Sequence, residues 1–104
     1  MKTLIINTTD NKEISIGVRI NNKEYFKSKK VDISKAQGAL PLIEKILKKK
    51  NLSLKDIDTI EVNNAHGSFT GIRIGLSIAN ALAFVLKIPV NGKKIGDFAQ
   101  PSYK

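Results

Sequence analysis

The stretch GSFTGIRIGLSIANALAFVLKIP, Gly67–Pro89, reads as a glycine-punctuated loop that opens an unusually apolar helix and runs on into a short strand. At about 100° per residue, Ile72, Ile74, Leu76, Ile78, Leu82, Val85 and Leu86 spread over more than half of the helix circumference. Arg73, Ser77, Asn80 and Lys87 are confined to a narrow arc. A surface helix needs one apolar stripe, so this pattern leaves two readings open: a helix buried in an ordinary core, or one that also covers a partner. Gly71, Gly75, Ala79 and Ala83 recur at i+4, a row without bulk that lets a second backbone come close.

The rest of the chain supplies strands before this helix. Thr3–Thr8 is a short apolar strand, and Glu13–Ile20 alternates Ile14, Ile16, Val18 and Ile20 with polar residues, as a half-buried strand does. Asn21-Asn22 tolerates positive φ and suits a two-residue hairpin. Lys23–Lys30 returns antiparallel, with lysines that blunt an edge. A first helix covers Ser34–Lys50, either kinked at Pro41 or starting near Leu40 with proline in its first turn. Lys48, Lys49 and Lys50 beside Asn51 read as a helix-end cap. Ile57–Asn63 is a fourth strand and Ile88–Gly92 a fifth. The order β-β-β-α-β-α-β is an α/β domain with a mixed sheet and right-handed crossovers.

Composition sets limits on function. The 104 residues suit one domain, 1–94, with 95–104 as a tail that looks loose beyond Gly96. No cysteine is present, which excludes disulfides and thiolate metal sites. The amino terminus lacks a signal-peptide apolar run, and Arg73, Ser77 and Asn80 argue against a membrane span, so a cytoplasmic location is expected. Net charge is +9, with 16 lysines and only two arginines, Arg19 and Arg73. That balance favours a solvated lysine surface over a dedicated nucleic-acid site, since phosphate and base readers favour arginine's planar fork. Acidic partners such as nucleic acid remain electrostatically open.

Three segments carry a family resemblance: INTT at the end of the first strand, ALPLIEKIL in the first helix, and HGSFTGIRIGLSIANALAFVLKIP. In this order they resemble the amino-terminal lobe of the TsaB (YeaZ) family, over essentially Met1–Gly92. The most specific string is Gly67, Ser68, Phe69, Thr70, Gly71, Arg73 and Gly75. The resemblance implies an RNase H-like lobe of the actin/sugar-kinase/Hsp70-like (ASKHA) fold group, with a five-stranded sheet in order 3-2-1-4-5. It also implies a part in tRNA threonylcarbamoyladenosine (t6A) modification, as a non-catalytic scaffold paired through its two helices with a TsaD-like protein. A homodimer through the same faces with no retained tRNA-modification role, or a lysine-rich tRNA-binding module, is the alternative. The family's second lobe would begin near Ile95 or Asp97, and nucleotide sites in the fold group lie between lobes.

Departures from the family pattern bear on chemistry. Asn7 stands where an aspartate is usual, Ala65-His66-Gly67 where the loop reads G-P-G, and Lys35, Ala36 and Gln37 where relatives carry H-S-E. These weaken any solitary ATPase or transferase activity, and neither cofactor nor metal is expected. Ser68 beside His66 reads as an N-cap rather than a nucleophile with its base. A backbone anion site at Gly67, Ser68, Thr70 and Arg73 is the minor alternative. Arg73, in the first turn, opposes the helix dipole and so calls for a carboxylate partner, within this chain or across an interface. Asp58 and Glu61 differ in strand parity and do not form a catalytic pair. The residues expected to meet a partner are Leu40, Ile43, Leu47, Gly71, Ile72, Gly75, Leu76, Ala79 and Ala83.

Overall fold

A computed structural model describes residues 1–10, 12–30 and 38–102. Strands β1 (Lys2–Asn7), β2 (Glu13–Ile20) and β3 (Lys23–Lys30) form an antiparallel meander, and β4 (Thr59–Val62) adds parallel to β1. The sheet order is β3-β2-β1-β4. The hairpin between β2 and β3 turns at Asn21 and Asn22, both at positive φ (51° and 68°), the geometry whose twist matches the flanking strands.

Helix α1 (Ala39–Lys49) packs on β2 and β3, and helix α2 (Phe69–Leu86) packs on β1 and β4. Alternation puts Leu4, Ile6, Ile16, Val18 and Ile60 on the helix side, where all five are fully buried. Pro41 falls in the first turn of α1, the tolerated position; the alternative start at Ser34 lies outside the described residues. Asn51 closes the helix at φ 56°, with Leu52 N–H donating to the Leu47 carbonyl (2.9 Å) and Asn51 N–H to that of Lys48 (3.1 Å). That is a Schellman ending.

Two expectations need correction. The fifth strand does not form: the sheet has four strands, and Val90 makes a single parallel bridge to Ile60. Pro89 has no N–H to extend the ladder, while Asn91 and Gly92 curl away at φ 51° and 72°. The Asn91 side chain supplies the next rung instead, accepting from Val62 N–H (2.8 Å) and donating to the Val62 carbonyl (3.1 Å).

Nor is the tail loose through Ser102. Ala99 is buried, and the Asn80 amide grips its backbone, accepting from Ala99 N–H (2.8 Å) and donating to its carbonyl (3.1 Å). Asn64 holds Gln100 and Ser102 at 2.7 and 2.8 Å. Phe98 meets Phe84 edge-on at 6.5 Å. Side-chain amides substitute for backbone pairing in both places, and hydrophobic periodicity does not register them.

Candidate functional site

The glycine string docks the start of α2 against the end of β1. Thr8 Oγ1 donates to the Gly71 carbonyl at 2.6 Å, and Ser68 N–H donates to the Thr9 carbonyl at 2.9 Å. A Cβ at Gly71 would collide with the Thr8 carbonyl oxygen, and one at Gly75 with Thr8 Oγ1 and Val62. The close backbone approach expected of this row therefore happens inside the lobe. Ser68 caps α2, its hydroxyl accepting from Gly71 N–H at 2.9 Å.

Most of the expected contact residues lie inside the lobe. Gly71, Ile72, Gly75, Leu76, Ala79 and Ala83 are buried under the chain's own fold, as are Ile43 and Leu47 of α1. Only Leu40 stays outside, 51% exposed. The small-residue row turns to the sheet because that face lets α2 sit closest to β1 and β4, where most apolar area leaves water.

What α2 leaves outside is still apolar. Phe69, Phe84 and Val85 are 56%, 66% and 73% exposed. Ala81 is exposed beside them, and Ile74, Ile78 and Leu82 are only half-buried. Phe69, Thr70, Arg73, Ile74, Ser77 and Ile78 line a shallow depression of about 370 Å³. By length and composition α2 could also cross a bilayer, with a mean hydropathy of 1.7 over 18 residues; a third of that window is buried in the fold.

Arg73 finds no carboxylate partner among the described residues of this chain. Its guanidinium lies 4.9 Å over the Phe69 ring. Cation–π contact satisfies it where the helix dipole does not. Of the alternative anion contacts, Ser68 commits its amide to Thr9 and accepts at its hydroxyl from Gly71, Gly67 abuts Thr9, and Thr70 is exposed. His66 is exposed at φ 61°. No group of three metal-capable side chains occurs among the described residues. Asn7 Oδ1 accepts from the Thr9 amide and hydroxyl at 3.1 and 2.8 Å, which ties it to a local turn.

The opposite face of the sheet carries a constellation that sequence reasoning missed. Arg19 of β2 reaches Glu24 of β3 at 2.7 Å and Glu61 of β4 across β1. The Glu61 bond, then Glu24, raise the guanidinium above its ordinary value. Alongside lies a depression of about 620 Å³ lined by Ile5, Asn7, Ser15, Phe26 and Asn91. The available signal was Gly17 in mid-strand: its register partner Phe26 folds its ring into the space a Cβ would fill.

A four-stranded mixed sheet with two helices on one face, the second entering through a glycine-tight turn, defines the class: a single α/β lobe. The family model described as "TsaD: tRNA N6-adenosine threonylcarbamoyltransferase" matches residues 29–92, and the chain belongs to that family. It is 33% identical over 89 residues to the "tRNA threonylcarbamoyladenosine biosynthesis protein TsaB" of Buchnera aphidicola subsp. Baizongia pistaciae, covering 86% of this chain and 40% of that protein. The Haemophilus influenzae protein of the same description is 30% identical over 88 residues, 85% of this chain and 37% of the relative. Among solved structures, "YeaZ from Pseudomonas aeruginosa" superposes with a TM-score of 0.76 at 25% identity, covering 86% of this chain and 41% of that one. The resemblance to TsaB and YeaZ holds in sequence and in fold. The chain spans about two-fifths of the length of these relatives.

Proposed function

We propose that this lobe is a non-catalytic scaffold in t6A modification of tRNA, docking onto a TsaD-like protein in the cytoplasm through the outer face of α2. The observation that carries the reading is the apolar remainder of that helix. With its small-residue row already buried, it still presents Phe69, Phe84 and Val85 to water. Full burial of such side chains contributes about 1.5–3 kcal/mol each. Association costs about 4–15 kcal/mol, so half-buried Ile74 and Ile78 belong to the contact as well. The relatives' names connect the reading to t6A.

The test is the variant Ala81→Asp/Val85→Asp, which places two charges on the exposed side of α2 and leaves the core alone. Circular dichroism should be unchanged, while calorimetric affinity for the TsaD-like protein falls about tenfold or more. Unchanged affinity would sink the docking model. Light scattering on the free chain reads out the alternative, since a stable dimer that the same variant dissolves assigns this face to self-association.

A further inference from the structure

We propose that the edge formed by β3 and α1 binds the phosphate backbone of a polynucleotide. This goes beyond the docking face on α2 and does not rest on it. The register pairs Lys23, Lys27 and Lys29 with Ile20, Ile16 and Ile14, so these lysines share the helix side of the outermost strand. Alternate residues on a strand lie about 6.8 Å apart, and the row from Lys23 to Lys29 runs about 20 Å. α1 packs on the same two strands, β2 and β3. Its exposed side carries Lys45, Lys48 and Lys49, and Lys50 beyond it sits 3.4 Å over the Tyr25 ring.

Among the described residues little neutralises this edge. Among the described residues the only ion pairs are those of Arg19, and no lysine forms one. Glu24 belongs to the Arg19 pair on the opposite sheet face, and Glu13 shares that face by alternation. Asp10, Asp56 and Asp58 accept from the amides of Lys12, Ser53 and Lys2. Glu44 is the carboxylate left on the described part of the edge. A straight row of mobile point charges without arginine forks suits phosphates and carries no base readout.

Fluorescence anisotropy at about 50 mM salt, with an RNA hairpin and a DNA duplex of equal length, tests this. The variant K23Q/K27Q/K29Q should bind about tenfold or more weakly, with a log–log salt slope shallower by about 2–3. The charge-matched control K55Q/K93Q/K94Q, at exposed lysines elsewhere, should lose about twofold at most. The two probes report whether RNA or DNA supplies the phosphates. K48Q/K49Q replaces the strand variant if circular dichroism shows the latter unfolded. Equal losses in edge and control variants, no binding to either probe at low salt, or binding to phosphatidylserine vesicles alone would each overturn the proposal. The edge variant should still bind the TsaD-like protein, which separates this failure from that of the docking model.

Discussion

Helices α1 and α2 lie on the same face of one sheet and contribute to one core, yet they treat water differently. α1 buries Leu42, Ile43, Ile46 and Leu47 and turns Glu44, Lys45, Lys48 and Lys49 outward. α2 buries Gly71, Gly75, Ala79 and Ala83 with only Ile72 and Leu76 as large side chains, and turns Phe84 and Val85 outward. The bulky residues of α1 fill the space over β2 and β3 from a distance, whereas the small row of α2 brings its backbone down onto β1. A helix that sits this low spends few large side chains on the sheet. Its other large side chains lie on its flanks and outer side, where they remain partly or largely in water.

The comparison can be broken most directly at its closest contact. Gly71→Leu drives a side chain into the Thr8 carbonyl, a backbone atom that cannot step aside. A loss of about 4 kcal/mol is expected in urea unfolding. A loss under about 1 kcal/mol would show that α2 does not sit on β1 as described. On the other helix, Ile46→Ala leaves a cavity instead of a clash. It should cost about 3 kcal/mol, read from the shift in the unfolding midpoint. Together the two variants separate a helix held by closeness from one held by volume.

The helix starts sharpen the contrast on a smaller scale. Ser68→Ala removes the hydroxyl that accepts from Gly71 N–H, and about 1 kcal/mol should go with it. α1 begins at Gly38 with no side-chain cap, so it has no equivalent group to lose. The outer-face changes, Ala81→Asp/Val85→Asp, stand last in stability, at about 0.5 kcal/mol. Their consequence belongs to association.

Much of the architecture was readable because local rules act within a few residues. The alternation of β2, the Asn21-Asn22 turn, the Ser68 cap and the Asn51 helix ending each depend on neighbours close along the chain. The orientation of α2 was not readable in that way. Gly71, Gly75, Ala79 and Ala83 form a smooth row whichever way they point, and choosing between sheet and partner requires knowing where Thr8 and Val62 lie. The missing fifth strand has the same origin. Asn91 replaces a ladder residue with its side chain, and the pattern of apolar residues around Val90 carries no trace of that exchange. Arg19, Glu24 and Glu61 come from three strands, and their meeting depends on the sheet order and register.

The amino-acid order alone determined the α/β class, the hairpin, the presence of both helices, the Ser68 cap, the Asn51 ending, and the wide apolar spread of the second helix. Those properties follow from dihedral preference and periodicity, which are local. Which side of α2 faces inward, how far the sheet extends, and where the tail is held were decided only by the assembled fold. Each depends on steric fit and hydrogen bonding between segments distant in sequence, set once the Thr8 backbone and the Asn80 and Asn91 amides are in place.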